Sequence, residues 1–303
     1  MNVIGRRRLW FAISLLVIIP GTISLFIWGL RPGIDFAGGQ SMEIAGTQDQ
    51  QFVRDTLASV GARDIVITTT GTDKLLARYR DEEGKDSTVT SNEIKTKLAT
   101  QNAQPTNFES IGPAVSRDIT RNAFVSVGLA SLAIVFFIAF AFRNTPPPVS
   151  PWSFGVTAVI ALLHDTLVIV GIFSLLGRFA NVEIDSLFVT AVLTAIGFSV
   201  HDTIVVYDRI RENLKRSSES FEVVVNDSIV ETMARSLGTS LTVIFTLLAL
   251  LIFGGETIRL FIFALLVGIM SGTYSSIFNA APMLVVWHNF KFKRRAAKKL
   301  KKT

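Results

Sequence analysis

The chain contains no cysteine among its 303 residues. That excludes disulfides, thiolate metal sites and a cysteine nucleophile, and says little about compartment. No strong internal repeat is visible, and no low-complexity segment apart from a basic C-terminal run. No nucleophile–base pair or metal cage stands out, so an enzyme is the least supported class and no cofactor is implied. What is abundant is apolar sequence: 49% of residues are hydrophobic, and the mean hydropathy is +0.45. Together with several apolar runs of about 20 residues, this reads as a polytopic α-helical membrane protein. The net charge of +6 does not point to nucleic acid. The basic residues cluster beside apolar runs, where orientation and anionic lipid headgroups explain them.

Six spans are expected, at Leu9–Leu30, Ala123–Phe142, Trp152–Leu176, Leu187–Tyr207, Leu237–Phe253 and Leu260–Trp287. "GRRR" precedes the first and "DRIRENLKR" follows the fourth. After Phe290 come eight Lys and Arg residues with no acid. The outer turns "GRFANVEIDS" and "GGETIR" hold few basic residues. The positive-inside rule therefore expects a multi-pass chain with both termini and the loop between the fourth and fifth spans in the cytoplasm. The first span is long for a signal-peptide core and lacks a clear cleavage site, so a retained anchor is expected. The division reads as a cytoplasmic start (1–8), the first helix (9–30), an extracytoplasmic domain (31–122), a five-helix bundle (123–287) and a basic cytoplasmic tail (288–303).

The polar stretch between the first two spans, about 85 residues, is large enough for a small domain. "QSMEIAG" alternates like a strand, "DQQFVRDTLASVG" has helical spacing, and "DIVITTT" and "KLLARYR" flank a "GTD" turn. "TSNEIKTKLATQ" reads as a helix beginning at its capping residues, and "TNFESIGPAV" as a last strand. That β-α-β-β-α-β order is the α+β ferredoxin-like arrangement. "RPGIDFAGG" is a poor phosphate loop, lacking Lys-Ser/Thr and a following helix start. Its glycines instead suit a sharp turn into the first strand.

Two His-Asp pairs lie within spans: His164-Asp165 mid-way along the third, and His201-Asp202 near the inner end of the fourth. A charged carboxylate at the bilayer centre costs about 2.5–3.5 kcal/mol on insertion scales, and intramembrane acids are functional by default. Asp202 is thus a candidate proton carrier, or an acid close enough to the inner surface to reach water. Counting residues back from the outer turns puts Arg235 at a similar depth, as partner to Asp202 or as an arginine snorkelling to headgroups. Thr239, one turn further in, is placed to bond either. His164 and Asp165 read equally as interhelical glue or as a proton relay. A metal site built on the two pairs is weakly supported, because no helix presents two ligands at i, i+4, and an aspartyl protease has no further signature.

These residues carry a family likeness. "GIDFAGG", "ESIGPAVSRDI", "ALLHDTLVIVGIF", "AIGFSVHDTIVVYDRIREN" and "ARSLGTSLTVIFTLLALLIFGG" follow one another as do the motifs of the SecD/SecF export family, and the chain resembles its SecF branch over nearly its whole length. Phe198 and His201 stand where the family usually has Tyr and Asn, and "TMARSLGTS" is looser than the usual motif. The resemblance implies six spans in the cytoplasmic (inner) membrane, with a ferredoxin-like outer domain after the first. It also implies a subunit without chemistry of its own, working with a SecD-like subunit beside the SecYEG channel on a translocating preprotein, powered by the proton gradient. Its proton-path residues match Asp202, Arg235 and Thr239; His201, Asp165 and His164 are expected on the same proton pathway from their own chemistry. Gly33, Asp35, Gly38, Gly39, Gly112 and Pro113 fall in its structural motifs. The competing expectation is a proton-coupled small-solute or metal-ion transporter.

Overall fold

The computed structural model describes residues 1–70, 74–80, 87–100 and 103–300. The expected "GTD" turn, Gln101 at the end of the second outer helix, and Lys301 and Lys302 of the basic run lie outside the described residues. The chain divides into two compact units. One comprises Met1–Arg31, Ser126–Val182 and Leu187–Thr303; the other comprises Pro32–Val125 and Glu183–Ser186.

The larger unit is helical. Among the described residues six stretches are long and apolar enough to cross a membrane, as the need to satisfy every backbone group internally in lipid demands. They are α1 (Arg7–Trp28), α5 (Pro113–Ala141), α6 (Pro151–Phe179), α7 (Ser186–Arg216), α8 (Phe221–Phe253), and α9 (Glu256–Ser275) running through a π-helical turn (Ser276–Ala280) into α10 (Ala281–Leu300). The short helices α2 (Ile34–Ala37), α3 (Gln50–Ser59) and α4 (Ser87–Ala99) belong to the smaller unit. Several spans extend past their expected limits. α5 starts ten residues before Ala123, because Pro113 opens the helix directly after the last strand. α8 begins at Phe221, well before Leu237. The run after Trp287, expected as a separate tail, continues the helix of the last span.

Small and hydroxylated residues set the packing. α1 and α6 run parallel with a residue offset of 150, seen in the 2.7 Å bond between Ser24 Oγ and Ser174 Oγ. At the same offset Gly21 meets Gly171, and a Cβ on Gly171 would lie 2.7 Å from the Cα of Gly21. The two backbones touch, as small residues permit in membrane bundles. α7 and α9 are also parallel, offset by 73: Thr203 Oγ1 lies 2.9 Å from Ser276 Oγ, and Tyr207 Oη donates to Ala280 O at 3.2 Å. Along that seam Gly268 abuts Ala195 and Gly272 abuts Ser199. α6 and α7 are antiparallel, joined by a 2.6 Å bond between Thr157 Oγ1 and Tyr207 Oη. The start of the chain and Asn289 of the last span meet where α8 begins. Asn226 Oδ1 accepts from Val3 N, while Glu222 pairs with Arg7 and accepts from Asn289.

The smaller unit holds β1 (Gly39–Ala45), α3 (Gln50–Ser59), β2 (Arg63–Thr70), β3 (Lys74–Arg80), α4 (Ser87–Ala99) and β4 (Gln104–Ile111). The strands form one antiparallel sheet in the order β2-β3-β1-β4. Met42, Ile44, Leu75, Ala77 and Tyr79 of the sheet close against Val53, Leu57, Ile94 and Leu98 of the two helices. At about 1.5–3 kcal/mol per large buried side chain, this small core is the main attraction holding the unit together. The Asp49 carboxylate caps α3 by accepting from Phe52 N at 2.9 Å. α4 starts three residues earlier than its expected capping Thr90.

"GIDFAGG" is more than a turn. It contains a one-turn helix, α2 (Ile34–Ala37), that the glycine pattern did not suggest. Gly38 and Gly39 follow at φ +73° and +138°, and a Cβ on Gly39 would lie 2.7 Å from Tyr79 O. Both backbone conformation and space demand glycine there. Asp35 accepts from Ser186 N at 2.8 Å and Ser186 Oγ at 2.5 Å, so it satisfies an unpaired donor at the start of α7. Gly33 N donates to Ile184 O at 2.8 Å, and Gly112 O accepts from Ser116 N at 3.0 Å one residue before Pro113 opens α5.

The Gly21–Gly171 contact gives a direct test. Gly171→Ala forces two backbones apart, an overpacking cost of about 1–3 kcal/mol. We expect a lower midpoint in thermal unfolding of the detergent-solubilised chain. Gly128→Ala, where an added Cβ meets nothing within 4 Å, should not lower the midpoint and gains up to about 1 kcal/mol of helix propensity.

Candidate functional site

Two carboxylates are enclosed in the bundle, and their surroundings differ. Asp165, on α6, is 1% exposed. Its Oδ2 accepts from Ser199 Oγ of α7 at 2.5 Å and Ser275 Oγ of α9 at 2.6 Å. Its Oδ1 accepts from Ser271 Oγ of α9 at 2.7 Å and lies 2.9 Å from His164 Nδ1. A carboxylate offers about four acceptor positions, and four donors occupy them. Ser271 and Ser275 can both reach it because they are four residues apart on one helix face.

Asp202, on α7, is 2% exposed. It accepts from Ser240 Oγ of α8 at 3.2 Å, and Thr273 Oγ1 of α9 lies within 2.7 Å of that serine. His201 Nδ1 is 3.8 Å from its Oδ1, and the His201 side chain is largely exposed. Asp202 therefore keeps acceptor capacity that Asp165 has filled.

The two acids lie close in depth. α6 and α7 are antiparallel and Asp165 meets Ser199, so Asp202 is three residues further along, about 4.5 Å at ~1.5 Å per residue. Hydroxyls bridge much of the space between them. Ser199 bonds Asp165, its carbonyl accepts from Ser276 Oγ at 3.1 Å, and Ser276 meets Thr203, the neighbour of Asp202.

Arg235 is not brought to Asp202. The depth agrees with expectation: Arg209 of α7 bonds Glu231 of α8, and Asp202 meets Ser240, so Arg235 falls within about a turn of the acid. The facing does not agree. α8 turns Ser228, Thr232, Ser236 and Ser240 inward, all buried. A step of about 100° from Ser236 puts Arg235 on the outer face, where it is exposed and forms no ion pair among the described residues. Thr239 shares that face, and its hydroxyl donates to Arg235 O at 3.0 Å. The hydroxyl that reaches Asp202 is its neighbour, Ser240. A polar stripe of Arg235, Thr239, Thr242 and Thr246 thus runs along the uncovered side of α8.

Of the six residues expected on a proton path, His164 and Asp165 meet each other, His201 flanks Asp202, and Arg235 and Thr239 stand apart from both acids. Reading the sequence missed Ser199, Ser240, Ser271, Thr273, Ser275 and Ser276. A signal was present: hydroxyls spaced by four in otherwise apolar helices, and the run "SGTYSS" inside the last span. Among the described residues no group of three His, Cys, Asp or Glu converges as a metal cage.

Asp165 and Asp202 are thereby predicted to differ in stability. Asp165→Ala strands three hydroxyls and a histidine nitrogen. A stranded buried group costs about 1–3 kcal/mol, partly offset when serines bond back to their own helix. We expect a loss of about 3 kcal/mol for Asp165→Ala and about 1 kcal/mol for Asp202→Ala, which strands one hydroxyl. Thermal unfolding in detergent measures both, and equal shifts would contradict the difference drawn between the sites.

Comparison with known proteins follows the same outline. The family described as "Protein export membrane protein SecD/SecF, C-terminal" matches residues 90–290, which include both acids. A protein translocase subunit SecF from Thermobaculum terrenum is 48% identical, over 97% of this chain and 96% of its own. A protein translocase subunit SecDF from Bacillus subtilis is 32% identical, over 97% of this chain but 39% of its own length. The crystal structure of SecDF, a translocon-associated membrane protein from Thermus thermophilus, superposes with a TM-score of 0.83 at 32% identity, covering 95% of this chain and 39% of that one.

Proposed function

Because the chain belongs to the SecD/SecF family of protein-export membrane proteins, we infer that it is the SecF-like half of a proton-driven export device in the cytoplasmic membrane. Its partner is a SecD-like subunit, and the pair acts beside a SecYEG channel on a preprotein leaving the far side. The single-chain SecDF relatives, of which this chain spans about two fifths, support a partner that supplies the remainder. The βαββαβ unit is then the ferredoxin-like outer domain, and both termini are cytoplasmic. The chain carries no chemistry of its own; its work is conformational.

Asp202 carries this reading. It is a carboxylate enclosed within a span and held by one hydroxyl, so gaining or losing a proton changes its bonding without dismantling a cage. A proton moving down the gradient yields about 2.3 kcal/mol per 100 mV, comparable to remaking a few buried hydrogen bonds. Neutral Asp202 no longer holds Ser240 by charge, which loosens α7 from α8. The uncovered stripe of Arg235 and Thr239 on α8 is the surface the SecD-like partner covers. There Arg235 serves that partner's side of the path. Asp165, held by four groups, fixes the packing of α6, α7 and α9 beside it.

Asp202→Asn keeps the shape and removes the titratable group. At equal expression and equal co-purification with the SecD-like subunit, we expect loss of the gradient-dependent part of reporter export into inverted vesicles, with the gradient-independent part retained. Undiminished gradient-dependent export would reduce the chain to a scaffold. Arg235→Ala should leave the thermal midpoint of the isolated chain within about 0.5 kcal/mol, as for an uncoupled surface change, yet weaken co-purification or gradient use. A large destabilisation of the isolated chain would show that Arg235 is an internal strut.

A further inference from the structure

His164 is buried along with Asp165 but is not fully used by it. Its Nδ1 lies 2.9 Å from Asp165 Oδ1. Its Nε2 is enclosed and has no hydrogen-bond partner, although its side chain is 90% removed from solvent, being 10% exposed. An unpaired buried polar atom costs about 1–3 kcal/mol. Such an atom calls for a partner outside the protein, and a space stands beside it. A cavity of about 310 Å³ between α1, α6 and the π-turn with α10 is lined by His164, Ser14, Thr157 and Asn279 among apolar side chains. The cavity lies in the N-terminal halves of α1 and α6, the half of the bundle where Val3, Arg7 and Asn289 meet the start of α8. Ser14 and Asn279 bond each other across it at 2.8 Å, and the π-turn is what carries Asn279 there. Single π-turns frequently mark functional positions in helices.

We propose that this cavity is hydrated and is the route by which protons pass between the N-terminal side of the bundle and Asp165, with His164 as the relay. A proton arriving from water at Nε2 and leaving from Nδ1 to Asp165 crosses the ring by exchange of tautomers. No atom other than hydrogen moves, and the reverse transfer restores the starting state. Water is the occupant because the orphaned nitrogen needs a small hydrogen-bonding partner, and four polar side chains line the space. A cavity holds water when it is roomy and offers two to four such partners. The groups facing His164 are consistent with a relay. Asp165 is on its own helix, and Tyr274 of α9 stacks on its ring at 6.3 Å. Among the described residues lining the cavity, the polar side chains from α1 and the π-turn are Ser14 and Asn279, which do not titrate. Asp165 is then a second proton station, entered separately from Asp202. This rests on the proton-driven reading above, and deepens it by supplying a route of access.

The cysteine-free sequence makes the test direct. Ile160→Cys places one thiol on the cavity wall, and Leu16→Cys places one on the bare face of α1, 76% exposed. A charged, water-soluble methanethiosulfonate reagent is added to vesicles containing the full chain and the SecD-like subunit. We expect Ile160→Cys to react at least tenfold faster than Leu16→Cys, which faces lipid. Leu167→Cys, on the same wall, replaces Ile160→Cys if that variant does not assemble. Equal or slower reaction, or reaction only with an apolar maleimide, means a dry or acyl-filled cavity and overturns the proposal. Labelling reads hydration whatever drives export. In the same vesicles, reagent-blocked Ile160→Cys should lose at least fivefold in gradient-dependent export. If it loses nothing while Asp202→Asn does, the proton-driven reading stands and the cavity is not on the path.

Discussion

A carboxylate inside a membrane bundle must be surrounded, and the bundle is arranged around the surrounding of Asp165. Its four donors come from three helices. That requires α6, α7 and α9 to meet at one depth, and the small residues that let them approach are placed to allow it. Gly268 and Gly272 admit Ala195 and Ser199 against α9, which brings Ser199 and Ser275 to the same carboxylate oxygen. The α1–α6 contact through Gly21 and Gly171 holds the remaining side of α6. The second acid, Asp202, sits about a turn away on the looser edge of this assembly, where α8 contributes one hydroxyl.

The division of labour follows from that asymmetry. An acid locked by four donors is suited to fixing geometry and to passing a proton only through the group next to it. An acid held by one hydroxyl can change its bonding at low cost. Asp165 ties three helices together through its donors, whereas Asp202 meets a single hydroxyl of α8.

Much of this was legible in the sequence. Apolar runs of sufficient length announced six spans, since backbone in lipid has few alternatives to a helix. The alternating and helical spacings outside the spans announced the order of the small sheet unit. The acids announced themselves by their cost. What was not legible was which way each helix faces its neighbours. Depth can be counted from a turn, so Arg235 was assigned to the right level. Rotation depends on contacts with other helices, and the buried stripe Ser228–Thr232–Ser236–Ser240 turned Arg235 and Thr239 outward. The serines around Asp165 were passed over because a lone serine in an apolar helix commonly bonds its own backbone. Only the convergence of three helices gives it another role. The π-turn and the one-turn helix in "GIDFAGG" left no propensity signal, being consequences of packing and of the glycines around them.

The seam between α7 and α9 has an evolutionary corollary. Gly268 faces Ala195, and Gly272 faces Ser199, with no room for an added methyl on either glycine. Volume at each facing pair is therefore a shared quantity. A larger residue can enter one helix only if its opposite number shrinks, so these positions are free to drift in compensated pairs and closed to single steps. Where such exchanges occur among descendants of this chain, they will be found 73 residues apart, the offset at which the two helices run side by side.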